Sequence, residues 1–146
     1  MLFLSIKPKY VEKILDGEKR VELRRRKPRS QPDDWMAIYE SSPTKALVAI
    51  AQVTEVRIKS PQCLWRSVRS LAGIQKQAFD EYFADCDNAV GIMFQSVIAL
   101  SSPIQLDDLR SSWPGFHPPQ GFLYLTSDQK DLVLEGIPKR LRRVAA

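Results

Sequence analysis

Cysteine and histidine are scarce in this chain. Its 146 residues include two cysteines, Cys63 and Cys86, and a single histidine, His117. A structural zinc site needs about four soft ligands at close spacing, and neither cysteine belongs to a CxxC pair. We therefore expect neither a metal ion nor another cofactor. A nucleophilic Cys–His pair stays open as the alternative to unreactive thiols.

Long apolar runs are also lacking. No run approaches the roughly 20 residues that a membrane-spanning helix needs, so we expect no membrane partner. Residues 1–7 have no basic region before a short apolar stretch, and they do not resemble a signal peptide. Hydrophobic residues make up 44% and charged residues 27%, with no internal repeat and no linker. These features predict one globular domain in the cytoplasm.

Positive charge is concentrated in one segment, residues 19–29. Seven of its eleven residues are basic and one, Glu22, is acidic. The last ten residues, 137–146, add four basic and no acidic residues, which leaves 11 basic and 16 acidic residues elsewhere. Charge that is concentrated in two short segments favours a localised anionic partner over general solubility.

A strand is predicted inside this basic segment. Val21 and Leu23 alternate with Glu22 and Arg24, which is the period-two pattern of a half-buried strand. We expect Val21 and Leu23 in a core, and Glu22 and Arg24 on the opposite face, where an ion pair could orient the guanidinium toward a cleft. An ordered basic surface suits a phosphate-bearing partner. The alternative is a solvated edge strand with a weak salt bridge at its rim.

The rest of the chain predicts an α+β fold. Strands outnumber helices and show no regular βαβ rhythm, which favours a small mixed or antiparallel barrel. We assign residues 1–136 to one domain and 137–146 to a basic C-terminal tail, because disorder is common at chain ends. Strands are predicted at residues 1–6, 20–24, 35–40, 46–58 and 89–100, and helices at 8–15, 61–71, 74–84, 106–110 and 127–135.

The N-terminal segment resembles the ASCH domain of the PUA-like superfamily. Gly17, Lys19, Glu22 and Arg24 fill the four positions of a G-x-K-x-x-E-x-R signature, which in that family follows a strand and a short helix. The resemblance implies a PUA-like small β-barrel flanked by short helices, with a cleft that binds RNA or a modified nucleotide. Features along the whole chain also fit: residues 38–43, 64–65, 79–83, 103–104 and 118–120.

The resemblance also implies several possible activities. Some members of the family are assigned RNA-binding or coactivator roles, whereas others hydrolyse N4-acylated cytidine or cleave RNA. The acylcytidine hydrolases use a threonine nucleophile at the position of Glu22, which counts against amide hydrolysis. Our leading hypothesis is RNA or nucleotide binding through a basic cleft. A hydrolase acting on RNA or modified nucleosides and a protein-interaction module are the alternatives.

Four residues are candidates for catalysis. Lys19 would contact a phosphate or, if desolvated, act as a general base. Tyr39 and Lys45 flank a polar turn in an arrangement that a metal-independent ribonuclease could use, although a core tyrosine and a turn charge are the plainer interpretations. Family members often carry serine where this chain has Gly121. The candidates are Lys19, Glu22, Tyr39 and Lys45.

Candidate binding residues come from the basic segment and from two loops. Gln120 follows two prolines, so it could read a base edge from a rigid backbone, and Tyr124 is expected in the same pocket. His117 adjoins this loop without a visible partner. The predicted RNA-binding set is Lys7, Lys19, Glu22, Arg24, Arg25, Arg26, Ser41, Thr44, Gln120 and Tyr124.

Overall fold

One mixed sheet of six strands organises the protein, for which a computed structural model describes residues 1–146. In chain order the strands are β1 (Leu2–Ile6), β2 (Val21–Arg24), β3 (Trp35–Glu40), β4 (Ala46–Lys59), β5 (Ala89–Gln105) and β6 (Phe122–Tyr124). Across the sheet they lie in the order β2-β5-β4-β3-β1-β6. Only β1 and β3 pair in parallel. The predicted α+β class is confirmed.

Six short helices flank the sheet. They are α1 (Pro8–Leu15), α2 (Pro61–Val68), α3 (Lys76–Tyr82), α4 (Leu106–Ser112), α5 (Ser127–Gly136) and α6 (Arg142–Ala145). Proline begins α1 and α2, where its missing N–H costs no hydrogen bond. Thr126 caps α5 through a reciprocal pair of hydrogen bonds with Gln129. None of the helices has the length and apolar character required to cross a bilayer.

The two longest strands curl the sheet. β4 has 14 residues and β5 has 17, and the register of their antiparallel ladder shifts at three points. Each irregularity increases the local bend and twist, so that the sheet rolls into a half-barrel. The strand predicted at residues 46–58 is confirmed as β4, and the predicted small barrel is a half-barrel with flanking helices.

Apolar side chains form three clusters around the sheet. Alternation along β1 sends Leu2 and Leu4 to one face, which α1 covers, and Phe3 to the other, against which the C-terminal helices pack. A third cluster joins Val21 and Leu23 of β2 to α2 and α3. Both β2 residues are buried, as the alternation predicted. The opposite face of β2 is thereby left to Glu22 and Arg24.

The last ten residues are packed, which corrects the expectation of a loose tail. They form a 3-10 turn (Lys139–Leu141) and α6. Ile137 and Ala145 are fully buried in the cluster that contains Phe3. Arg142 donates hydrogen bonds from Nε to the carbonyl of Ile137 at 3.2 Å and from Nη2 to that of Glu135 at 2.6 Å. This segment completes the core because α5 ends without filling it.

Candidate nucleic-acid interface

A cleft of about 430 Å³ opens where β2 meets α1 and α3. Its walls come from the end of β1, the first turn of α1, β2, α3 and the loop that carries Gln120. The volume lies within the range of small-molecule pockets in proteins. The structure brings five of the predicted binding residues together in this cleft: Lys7, Lys19, Glu22, Arg24 and Gln120.

Glu22 and Arg24 share one face of β2 and are both buried. Glu22 is 6% exposed and Arg24 is 9% exposed, and Arg24 Nη2 lies 3.6 Å from Glu22 Oε2. Arg24 also donates from Nη2 to the carbonyl of Ser5 at 2.9 Å and from Nη1 to that of Gly121 at 3.0 Å. The shared face was predicted correctly. The alternative of a solvated rim charge is not what the structure shows, because this guanidinium joins three segments of backbone.

One oxygen of Glu22 has no hydrogen-bond partner. Oε1 accepts a hydrogen bond from the backbone N–H of Leu23 at 2.9 Å, whereas Oε2 is buried and accepts none. The hydroxyl of Ser5, which also lines the cleft, is the second buried polar atom without a partner. An unmet buried acceptor costs free energy, so a ligand that donates an N–H to Glu22 Oε2 would recover it.

Lys19 lies at the back of the cleft with its side chain buried. It is 2% exposed, and its Nζ donates to the carbonyl of Ala72 at 2.7 Å. The same Nζ lies 5.1 Å from the ring centroid of Tyr10, within reach of a cation–π interaction. A Cβ added to Gly73 would lie only 3.0 Å from Lys19 Cβ, so this glycine leaves room for the lysine stem.

Burial lowers the pKa of Lys19 below its ordinary value of 10.5. The carboxylate of Glu22 opposes this shift, and the charges of Arg24 and Lys13 add to it. The lowered pKa makes the amine easier to deprotonate than that of a surface lysine. The desolvation that a general-base role for Lys19 requires is therefore present.

Two tyrosines complete the cleft and were missed from the sequence. Tyr10 on α1 and Tyr82 on α3 line it and are half-buried. Burial raises the pKa of Tyr82, so its phenol stays protonated at neutral pH. The guanidinium of Arg25 lies 4.3 Å from the Tyr82 ring centroid. Neither was among the predicted site residues, because a tyrosine beside apolar residues on a short helix has the sequence pattern of a core residue.

The predicted group around the polar turn lies apart from the cleft. Tyr39 is 2% exposed and packs with its ring centroid 5.7 Å from that of Phe3, and burial raises the pKa of its phenol. Ser41, Thr44 and Lys45 sit on the turn after β3, and none of them lines the cleft. Backbone pairing nevertheless places Tyr39 opposite Ser5, which does line it. The catalytic roles suggested for Tyr39 and Lys45 stay predictions.

Three further predicted residues lie outside the cleft. Arg25 and Arg26 are exposed beyond the end of β2. Tyr124 lines a separate depression, where its hydroxyl accepts a hydrogen bond from the backbone N–H of Arg29 at 2.6 Å. The expectation that Tyr124 shares a pocket with Gln120 is therefore corrected. Tyr124 is the last residue of β6, where its hydrogen bond to Arg29 holds it beside the segment that follows β2.

A larger depression of about 740 Å³ lies between the loop after α4 and the start of α5. His117 and Asp128 line it, but no lysine or arginine does, so it does not suit a polyanion. Neither Cys63 nor Cys86 lines this depression or the cleft. No group of three or more histidine, cysteine or acidic side chains is placed to hold a metal ion.

The half-barrel, its short helices and the cleft between β2, α1 and α3 define a PUA-like domain. Residues 4–98 match the sequence model of the ASCH domain, and the chain belongs to that family. A curated relative from Zymomonas mobilis, named ASCH domain-containing ribonuclease, is 26% identical over 126 residues, which cover 86% of this chain and 84% of the relative.

Solved structures show the same fold. The crystal structure of the ASCH protein from Zymomonas mobilis matches with a TM-score of 0.88 at 24% identity, covering 94% of this chain and 95% of that one. The N-terminal domain of McrB from Staphylothermus marinus matches with a TM-score of 0.55 at 10% identity, covering 92% of each chain. At these sequence identities the structural similarity shows only that the folds are alike.

Proposed function

We propose that this protein binds RNA by taking one unpaired nucleotide into the cleft. The observation that carries the proposal is the buried Oε2 of Glu22, which accepts no hydrogen bond although Arg24 lies 3.6 Å away, beside the lysine and the tyrosines of the cleft. A site with aromatic faces, one buried acceptor and cationic donors offers a nucleotide contacts to its base, its base edge and its phosphate. The name of the Zymomonas relative supports RNA as the class of ligand.

The base would stack on tyrosine and present an amino group to Glu22. Tyr10 and Tyr82 stand on different helices that both border the cleft. Unpaired bases commonly stack on such rings, and each stacked base contributes about 1–3 kcal/mol. Oε2 can only accept a hydrogen bond, and the single ring N–H at the pairing edge of uracil lies between two carbonyl oxygens that a carboxylate repels. We therefore expect bases with an exocyclic amino group to bind more tightly than uracil.

The phosphate would lie on the α1 side of the cleft. Lys7 and Lys9 are exposed there, whereas the opposite wall carries the carboxylate of Glu81. Like charges repel, so Glu81 directs a phosphate toward the lysines. Both ends of the Arg24 guanidinium already bind backbone carbonyls, so Arg24 would position Glu22 and Ser5 for the ligand.

Chemical-shift mapping with the four nucleoside 5′-monophosphates tests the site. We expect backbone amide shifts at residues 19–24, 72–74 and 82, with weaker affinity for the uridine nucleotide. Glu22→Gln should reduce the difference between amino-bearing bases and uracil, because its carboxamide can turn a donor toward the base. Asp128→Asn in the larger depression is the matched control. Shifts centred on residues 112–117 would contradict the proposal.

RNA cleavage is the second candidate. The lowered pKa of Lys19 and the name of the Zymomonas relative favour it. The neutral amine of Lys19 would take the proton of a ribose 2′-hydroxyl, and the resulting oxygen would attack the adjacent phosphorus. The bond to the 5′-oxygen then breaks and that oxygen takes a proton from water, which leaves a 2′,3′-cyclic phosphate and a 5′-hydroxyl. No threonine lines the cleft, so hydrolysis of N4-acylcytidine has less support.

Product analysis separates cleavage from binding. Mass spectrometry of a short RNA after incubation should show cyclic-phosphate ends if the protein is a ribonuclease. Lys19→Gln should then abolish turnover, whereas Lys45→Gln on the turn should not. Loss of turnover in Lys45→Gln alone would move the catalytic centre to the turn with Tyr39. If the RNA binds but stays intact, the protein binds RNA without cleaving it.

A further inference from the structure

Three arginines that follow β2 each lie over an aromatic ring. The guanidinium carbon of Arg25 lies 4.3 Å from the ring centroid of Tyr82, that of Arg26 lies 5.5 Å from Phe122, and that of Arg29 lies 4.8 Å from Tyr124. We call Arg25, Arg26 and Arg29 the arginine ridge. It crosses the gap between β2 and β6, the two edge strands of the half-barrel.

The backbone beneath the ridge is held in place. Pro28 and Ser30 are buried, and the N–H of Arg29 donates to the Tyr124 hydroxyl at 2.6 Å. Arg25 Nε donates to the carbonyl of Tyr82 at 2.8 Å. The ridge arginines are exposed, but both the chain that carries them and the rings beneath them restrict their directions. A stacked guanidinium keeps N–H groups free at its edge for a planar anion.

The charge of the ridge is not neutralised by the protein. No acidic side chain lies within 4.0 Å of Arg25, Arg26 or Arg29, although ion pairs form elsewhere on the surface. Three oriented and unpaired cations within five residues of one segment complement a ligand with several negative charges. At its far end the ridge meets Asp33 and Asp34, which line the depression beside Arg29 and limit the length of a bound polyanion.

We propose that the arginine ridge binds the backbone of single-stranded RNA that continues out of the cleft. Tyr82 links the two sites, because its ring both lines the cleft and carries Arg25. Arg25 and Arg29 are four positions apart, so their backbones are at most about 14 Å apart, which corresponds to a few nucleotides. This inference rests on the proposed function and adds the path that the strand follows.

The test compares ligand lengths in Arg26→Gln/Arg29→Gln. If each arginine neutralises one phosphate, the pair accounts for about 1.4 log units of affinity at roughly 0.1 M salt, a loss of about 25-fold. We expect that loss for a ten-nucleotide single-stranded RNA and none for the nucleoside monophosphates, which reach only the cleft. Arg66→Gln/Arg69→Gln on α2 removes the same charge from exposed positions and should bind both ligands normally.

Two further readouts decide between explanations. Arg26→Lys/Arg29→Lys keeps the charge, so the salt dependence should stay near that of the wild type with only a modest loss of affinity. Equal losses of RNA affinity in the ridge variant and in the α2 control would overturn the proposal. It would also be overturned if the ridge substitutions weakened binding of poly-glutamate but left the affinity for RNA unchanged. If the monophosphates do not change the amide chemical shifts of the cleft residues, the proposed function is contradicted. The loss of affinity for the ten-nucleotide RNA in the ridge variant still tests the ridge separately.

Discussion

Arg24 shows how one buried side chain can close a sheet. Its guanidinium donates hydrogen bonds to backbone carbonyls of β1 and of the segment before β6, and it lies beside the carboxylate of Glu22. The edge strands β2 and β6 share no backbone ladder, so these side-chain bonds connect them. The residue therefore contributes to stability as well as to the shape of the cleft.

Arg24→Ala should destabilise the protein by about 3 kcal/mol, because it removes charge-assisted hydrogen bonds and leaves Glu22 buried without its cation. Arg24→Lys should recover only part of this, since an ammonium cannot bind both carbonyls in the same geometry. Urea unfolding of both variants beside Arg66→Ala, an exposed control, measures the difference. An unchanged midpoint for Arg24→Ala would show that the three segments hold together without it.

We expect Lys19 to make the proposed nucleotide binding sensitive to alkaline pH. Its ammonium is lost at a lower pH than that of an ordinary lysine, because burial lowers its pKa from 10.5. The attraction that its charge adds to that of Lys7 and Lys9 for a phosphate is full below the lowered pKa and disappears as the pH rises through it. We expect the affinity of the wild type for nucleoside monophosphates to fall over this alkaline part of the pH range, the alkaline limb of the pH profile.

Lys19→Gln should bind more weakly at neutral pH and should lack the alkaline limb. Calorimetric titrations across the pH range, with circular dichroism to verify folding at each pH, measure both effects. An alkaline limb that persists unchanged in Lys19→Gln would assign the titration to another group.

The C-terminal segment is the element whose role changes most between sequence and structure. Its four basic residues suggested a loose arm, but Ile137 and Ala145 are buried against β5 and the aromatic cluster of Phe3. A mixture of basic and apolar residues over ten positions does not distinguish an arm from a short packed helix. The distinction depends on whether the rest of the fold leaves a gap to be filled.

Removing residues 139–146 should destabilise the domain, and Ile137→Ala alone should cost about 2–5 kcal/mol through loss of a buried side chain. Arg140→Gln/Arg143→Gln, which changes exposed charges only, should leave stability nearly unaltered. Thermal unfolding of the three variants provides the comparison. A truncated protein that melts like the wild type would mean that the segment is not part of the folding unit.

At the scale of the whole molecule, charge is distributed unevenly over a protein with a net charge of +5. The cleft lysines and the arginine ridge lie on neighbouring parts of one surface, which is the arrangement that attracts a polyanion. We expect affinity for single-stranded RNA to fall with salt by roughly 0.7 log unit per contacted phosphate for each tenfold rise. A flat salt dependence would contradict the electrostatic contribution.

Much of the fold and part of the site could be predicted from local pattern. The alternation of Val21, Glu22, Leu23 and Arg24 identified β2 and its two faces, because strand geometry depends only on neighbouring residues. The basic residues near Gly17 could be assigned to one site, because a short turn joins α1 to β2. Family resemblance supplied the half-barrel, which no local pattern specifies.

Contacts between distant segments could not be read from the sequence. Tyr10 and Tyr82 form one cleft because α1 and α3 converge on β2, although more than 70 residues separate them. Tyr39 is enclosed by Phe3, while Tyr124 lies beside Arg29 in a depression separate from Gln120. Local periodicity assigns a residue to a face, but which segments meet on that face depends on how the whole sheet curls and what packs against it.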